Sequence, residues 1–285
     1  MNIYVAEKSG FCFGVKKAID IAKENVLEGK IFTFGPLIHN NQVIEKLKDM
    51  GIEPIDSLDK VKNGKVIIRS HGIPLSTYEE AQSFNIEIID ATCPYVRKVQ
   101  KLAEKYHSEG YQIVILGDKN HPEIIGINGW CENSAIIIPN HEDLDKIRGL
   151  ESLCIICQTT FSHKEYDIIV KELNLDNSLV FNTICSATSE RQEACLELAK
   201  NVDIMFVIGG KHSSNTKKLY SICLEECPCT YHIETKEDLY KIDFKNCSNS
   251  EKIGVTAGAS TPDWIIYEVI DKLENEGEVI INGKL

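Results

Sequence analysis

Three times the chain passes from a short apolar run, through a single cysteine, into a stretch with helical periodicity. The first passage joins Ile3-Tyr4-Val5-Ala6 to Glu7-Lys8-Ser9-Gly10-Phe11-Cys12-Phe13-Gly14-Val15. The second is Ile88-Ile89-Asp90-Ala91-Thr92-Cys93-Pro94, and the third is Val180-Phe181-Asn182-Thr183-Ile184-Cys185-Ser186. A lone cysteine in a glycine-flanked turn is usually structural, a small hydrophobe with a weak donor. Three at equivalent points of an internal repeat constrain the whole chain.

The rest of each round agrees. After Cys12 the apolar residues Val15, Ala18, Ile19, Ala22 and Val26 line one helical face. Strand Ile31–Gly35 then leads to Pro36-Leu37-Ile38-His39-Asn40. Further on, Lys65–Arg69 leads to Ser70-His71-Gly72. From Cys93 the order repeats: a helix carrying Val96, Val99, Leu102, Ala103 and Tyr106, then strand Gln112–Leu116 ending in Gly117-Asp118-Lys119-Asn120-His121-Pro122-Glu123. Strand Leu153–Cys157 follows, ending in Gln158-Thr159-Thr160. From Cys185 a third helix leads to strand Ile204–Ile208 and Gly209-Gly210-Lys211-His212-Ser213-Ser214-Asn215. Strand Ile253–Val255 then ends in Thr256-Ala257-Gly258-Ala259-Ser260. His39 follows Cys12 by 27 residues, His121 follows Cys93 by 28 and His212 follows Cys185 by 27.

Alternating strands and helices with short connections imply parallel sheets covered by helices. The fold class expected is α/β: three pseudo-repeated units with small, mostly parallel sheets. The units span 12–92, 93–184 and 185–285, the last completed by 1–11. Ligands of such sheets bind beyond the carboxyl ends of the strands, where all the polar loops fall. A pseudo-threefold arrangement would turn those ends inward and bring Cys12, Cys93 and Cys185 together. The alternative is a repeat relic with cysteines in three separate turns.

Composition limits what such a chain can bind. At 285 residues with a net charge of −12, it lacks the basic surface that non-specific nucleic-acid binding needs, though a small site can still be locally positive. The longest apolar runs are strand-sized, so no membrane span is expected, and the charged N-terminus reads as no secretory signal. A cytoplasmic protein is the expectation. Eleven cysteines in a reducing compartment are buried, metal-bound or redox-active rather than a disulfide scaffold.

A cysteine at a helix N-terminus favours thiolate. Three convergent thiolates suit a metal centre with one open position, either zinc on three cysteines or a [4Fe–4S] cluster with one iron free of protein ligands. Cys154 and Cys157 form a CxxC within a strand, so their odd spacing sends them to opposite faces and makes them poor co-ligands. Cys195 reads as core. Cys227 and Cys229 take loop positions, and Cys131, Cys223 and Cys247 have no partner at metal spacing. His39, His71 and His121, with Ser213-Ser214-Asn215 opening a helix, suit a phosphate. His212 fits the repeat as well, whereas His107, His141, His163 and His232 read as surface residues. Glu123 could donate a proton near a metal centre, and Thr159 could orient it or merely cap a helix.

Gly10-Phe11-Cys12-Phe13-Gly14-Val15, Pro36-Leu37-Ile38-His39-Asn40, Arg69-Ser70-His71-Gly72, Asp90-Ala91-Thr92-Cys93-Pro94, His121-Pro122-Glu123, Gln158-Thr159-Thr160, Thr183-Ile184-Cys185 and Val255-Thr256-Ala257-Gly258-Ala259-Ser260 occur together and in order. In this the whole chain resembles the 4-hydroxy-3-methylbut-2-enyl diphosphate reductase family of the non-mevalonate isoprenoid route. The resemblance implies a trefoil of three α/β units around a [4Fe–4S] cluster held by Cys12, Cys93 and Cys185. It implies a diphosphate bound by His39, His71, His121, Ser213, Ser214, Asn215 and Ser260, with Thr159 near the substrate hydroxyl and Glu123 delivering protons. Two electrons from a ferredoxin- or flavodoxin-type donor would remove that hydroxyl as water, giving isopentenyl or dimethylallyl diphosphate. Two positions depart from the family pattern: His212, where asparagine is frequent, and Tyr95, where a smaller aliphatic residue is usual. Two other readings of the residues stand beside this one: a zinc-dependent hydrolase or lyase on a phosphorylated substrate with Glu123 as base, and a non-catalytic thiol or metal-storage protein.

Overall fold

The computed structural model describes residues 2–26, 31–61, 64–173, 178–244, 247 and 251–282. After an opening strand β1 (Asn2–Val5), the first round contains α1 (Phe13–Val26), β2 (Ile31–Phe34), α2 (Asn41–Asp49), β3 (Ile52–Ile55), β4 (Lys65–Ile68), α3 (Leu75–Ser83) and β5 (Glu87–Asp90). The second contains α4 (Pro94–Ser108), β6 (Gln112–Leu116), α5 (Pro122–Asn128), β7 (Ile136–Ile138), β8 (Leu153–Cys157), α6 (His163–Glu172) and β9 (Leu179–Val180). The third contains α7 (Ser186–Ala199), β10 (Ile204–Ile208), α8 (Ser214–Glu226), β11 (Thr230–Ile233), β12 (Lys252–Ala257) and α9 (Asp263–Asn282). Short 3-10 turns at Leu58–Lys60, His141–Lys146 and Lys236–Lys241 recur at the same place in each round.

These strands form three four-stranded sheets, ordered β1-β12-β10-β11, β5-β4-β2-β3 and β9-β8-β6-β7, with every neighbouring pair parallel. The α/β class with small parallel sheets is therefore as the sequence implies. In each sheet one edge strand (β1, β5 or β9) leads directly to a cysteine. The two inner strands end in the polar loops.

The described chain divides into two compact units, one of Met1–Phe13, His39–Val43 and Ser186–Leu285, the other of Gly14–Ile38 and Ile44–Cys185. In the first, the inner strands β10 and β12 are buried on both faces, while the edge strand β1 is largely exposed. Ile204, Phe206 and Ile208 pack with Ile265, Val269 and Leu273 of α9, while Met205 and Val207 pack with Cys195 of α7 and Leu219 and Cys223 of α8. This is the two-residue alternation of a strand, with both sides apolar because helices cover both. In the second unit, Val114, Leu116, Ile155 and Cys157 face α6, and Ile113, Ile115, Cys154 and Ile156 face α4 and α5. Cys154 and Cys157 thus lie on opposite faces, each fully buried. Burial pushes both thiols up to about 12, so they stay protonated packing groups.

Several elements escape the periodicity. The seven-residue α5 begins with Pro122 at its first position and buries Glu123, Ile124, Gly126 and Ile127, so it presents no charged stripe to read. Strand β11 is Thr-Tyr-His-Ile, and its polar pair hides it beside a cysteine–proline turn. No helix among the described residues is long and apolar enough to cross a membrane.

Candidate active site

The three cysteine turns are built alike. Cys12, Cys93 and Cys185 are half-buried and stand outside the chain's disulfide. The N–H of Cys12 donates to Ala259 O at 3.1 Å, that of Cys93 to Ser70 O at 2.9 Å, and that of Cys185 to Thr159 O at 3.1 Å. Each acceptor lies in the loop just after the same strand of its sheet, namely β12, β4 and β8. One backbone bond therefore fixes each thiol to a polar loop. Each turn thus presents a thiol at the start of a helix, the soft sulfur donor that iron–sulfur centres use. The residues present fit such a group.

The Thr159 loop also carries the site's buried acid. Glu123 is 2 % exposed and lies in the first turn of α5. Its Oε1 accepts from Thr159 N at 2.6 Å, and its Oε2 accepts from the Thr159 hydroxyl at 2.8 Å. Burial raises its pKa to about 7, against the opposing pull of these two hydrogen bonds. A carboxyl poised near neutrality is suited to general acid work.

His121 immediately precedes α5 and caps it: its Nδ1 accepts from Glu123 N at 3.1 Å. In the neutral ring this leaves the proton on Nε2. The His71 and His121 rings meet edge to face with centroids 5.5 Å apart.

In the unit containing residues 186–285, Ser213 caps α8 by accepting from Thr216 N at 3.3 Å. Asn215, 4 % exposed in the first turn, hydrogen-bonds through neither side-chain atom to any described group. A buried amide left this way at a helix N-terminus is a ready anion contact. Ser260 donates to His39 O at 3.1 Å. A Cβ on Gly210 would come within 2.6 Å of the same carbonyl, so only glycine lets these two loops approach. Ser214 is half-buried beside Ser213, and His212 is exposed.

This geometry corrects the repeat register. The helix caps are Asn40 (to Val43 N, 3.0 Å), His121 and Ser213, and each lies 28 residues after its cysteine. His39 and His212 therefore match Asn120, one place before the cap, and His121 is not the equivalent of either. The reading of His232 as a surface residue is also overturned. It sits on β11, its Nε2 lies 2.9 Å from Gly209 O, and burial lowers its pKa. Tyr95 is 43 % exposed on the first turn of α4. The sequence reading missed one disulfide, Cys229–Cys247, which no spacing rule would single out.

The LytB protein family model matches residues 3–274. The chain belongs to this family. A LytB-family relative from Alkaliphilus oremlandii, named 4-hydroxy-3-methylbut-2-enyl diphosphate reductase, is 52 % identical over 96 % of this chain and 100 % of its own length. Among solved structures, the fold is similar to one titled (E)-4-hydroxy-3-methyl-but-2-enyl diphosphate reductase, the terminal enzyme of the non-mevalonate pathway. That match has 42 % identity and a TM-score of 0.68, covering 96 % of this chain and 99 % of the other. It is also similar to the E-1-hydroxy-2-methyl-but-2-enyl-4-diphosphate reductase of Plasmodium falciparum. Identity there is 30 % and the TM-score 0.89, over 98 % of this chain and 89 % of that one. This LytB-family member is an oxidoreductase.

Proposed function

We propose that the protein reduces 4-hydroxy-3-methylbut-2-enyl diphosphate to isopentenyl and dimethylallyl diphosphate, with Cys12, Cys93 and Cys185 holding a [4Fe–4S] cluster. The observation that carries this reading is the buried Glu123, near neutrality and doubly bonded to the loop that also anchors Cys185. When bound, the cluster would supply the electrons and an iron with no protein ligand; a small ferredoxin- or flavodoxin-type donor would feed it.

The protein's own residues do the rest. His39, His71, His121, Ser213, Ser214, Asn215 and Ser260 hold the diphosphate. The orphaned amide of Asn215 supports its part in this. Removing a hydroxyl as water takes two electrons and two protons. Glu123 delivers both protons, taking up a second from solvent once the first has left. The Thr159 N–H can only donate, so Oε1 must accept from it and the acid proton falls on Oε2. There the Thr159 hydroxyl can turn to accept that proton and pass its own onward. The hard redox chemistry belongs to the cofactor, and the chain positions and protonates.

Anaerobic purification tests the proposal. A brown protein with about four iron and four sulfide per chain, turning over with a reduced ferredoxin, is the expected result. A colourless zinc protein without turnover would overturn it.

A further inference from the structure

The three helices that follow the cysteines are equivalent, and their sixth residue is buried in each. It is Ala18 in α1 (0 % exposed), Val99 in α4 (1 %) and Arg191 in α7 (5 %). Two rounds place a small apolar group there, and the third places a guanidinium that is charged at every accessible pH. Burying such a charge is unfavourable unless its donors are well used. Arg191 Nη1 donates to Ala187 O in its own helix at 2.7 Å, and Nη2 donates to Gly10 O at 2.7 Å, a residue distant by 181 positions.

Gly10 stands two residues before Cys12, and that turn needs outside support. The turn before Cys93 is braced from within, because Asp90 Oδ1 accepts from Thr92 N at 2.9 Å. The turn before Cys185 is braced in the same way, with Asn182 Oδ1 accepting from Ile184 N at 3.1 Å. At the equivalent place before Cys12 stands Ser9, whose hydroxyl instead donates to Ala6 O at 2.9 Å. Gly10 itself adopts φ +89°, a left-handed conformation that glycine alone takes without strain, and the next glycine, Gly14, is only four residues on. Flexible by composition, this turn is held at Gly10 O by Arg191 and at Cys12 N by Ala259.

We infer that Arg191 is a positioning residue for Cys12: it does from outside, through Gly10, what Asp90 and Asn182 do from within for the other two cysteines. A fixed cation two residues from a thiolate ligand also suits a turn that must carry negative charge. The inference rests on the proposed role of Cys12 as a metal ligand, but its geometric part can be tested separately.

The test is residue-resolved amide exchange on the full-length protein, purified anaerobically, with iron retention read in parallel. In Arg191→Met the Cys12 amide should exchange at least about tenfold faster, which corresponds to about 1.4 kcal/mol of local opening. The Cys93 and Cys185 amides should change less than about twofold. Arg191→Lys keeps the charge but brings one head group to two carbonyls, so its Cys12 amide should fall between wild type and Arg191→Met; it also serves if Arg191→Met does not fold. Reconstituted Arg191→Met should lose more than half its iron on desalting while wild type keeps it. An unchanged Cys12 amide, or equal acceleration at all three cysteines, would overturn the inference. If wild type itself takes up no iron, the proposed function falls while the exchange comparison still decides the role of Arg191.

Discussion

The Thr159 carbonyl lies 3.1 Å from the Cys185 amide, so the residue that holds the acid Glu123 also holds a cysteine turn. Acid and turn cannot move independently, and a change at either is felt at the other.

Glu123→Gln keeps the shape and the acceptor for Thr159 N but removes the proton. Turnover should fall by about 10²-fold or more with metal content unchanged. In the wild type, activity should decline as pH rises through about 7, where Glu123 loses its proton. Stability carries the same signature. The folded pKa lies above the ordinary value of 4.5, so the neutral acid's contribution is complete below pH 4.5 and is lost as pH climbs through 7. It amounts to about 3 kcal/mol, and denaturant titrations of wild type and Glu123→Gln across that window measure it.

Thr159→Val deletes one of the two hydrogen bonds that oppose the effect of burial. Glu123 should then titrate higher, and the alkaline limb of the rate profile should move up while maximal turnover drops. Thr159→Ser, which restores the hydroxyl, should recover both. A profile unchanged in Thr159→Val would remove Thr159 from proton delivery.

Ser213 has two assigned tasks that one substitution separates. Aspartate caps a helix as well as serine, so Ser213→Asp should unfold within about 0.5 kcal/mol of wild type. Its charge faces the proposed diphosphate, so KM should rise by at least about tenfold. Ser213→Ala should show the reverse balance, losing about 1 kcal/mol of stability with a smaller change in KM.

The Cys229–Cys247 bond closes a loop with a sequence separation of 18. Chain-entropy reasoning assigns such a loop about 3 kcal/mol. Adding dithiothreitol should therefore lower the thermal midpoint, and the Cys229→Ser/Cys247→Ser double variant should match reduced wild type and ignore the reductant.

Most of the architecture was legible because the repeat is written in residues whose chemistry does not vary: cysteine, glycine and the polar ends of apolar strands. Cys154 and Cys157 were readable for the same reason, since an odd spacing in a strand has one geometric meaning. The register was less so. Spacings of 27, 28 and 27 suggested three equivalent histidines, but equivalence resides in the helix caps Asn40, His121 and Ser213, which share a position and not a residue type. Different side chains accept from the same backbone amides, so spacing counted on one residue type misaligns them. Arg191 was illegible because a buried arginine looks like any surface arginine until its carbonyl partners are known. Glu123 was found from its neighbours, but its raised pKa comes from burial within α5, a helix too short and too apolar to be read.

The pairing of β1 with β12 joins residues 2–5 to residues 252–255. A ribosome adding 5–20 residues per second releases the first of these strands roughly 12–50 s before the second exists. The turn carrying Cys12 is thus made first and finished last. Until its sheet closes, that thiol waits beside an unpaired strand, so a cluster of the proposed kind would gain its full ligand set only after residue 255 has been made.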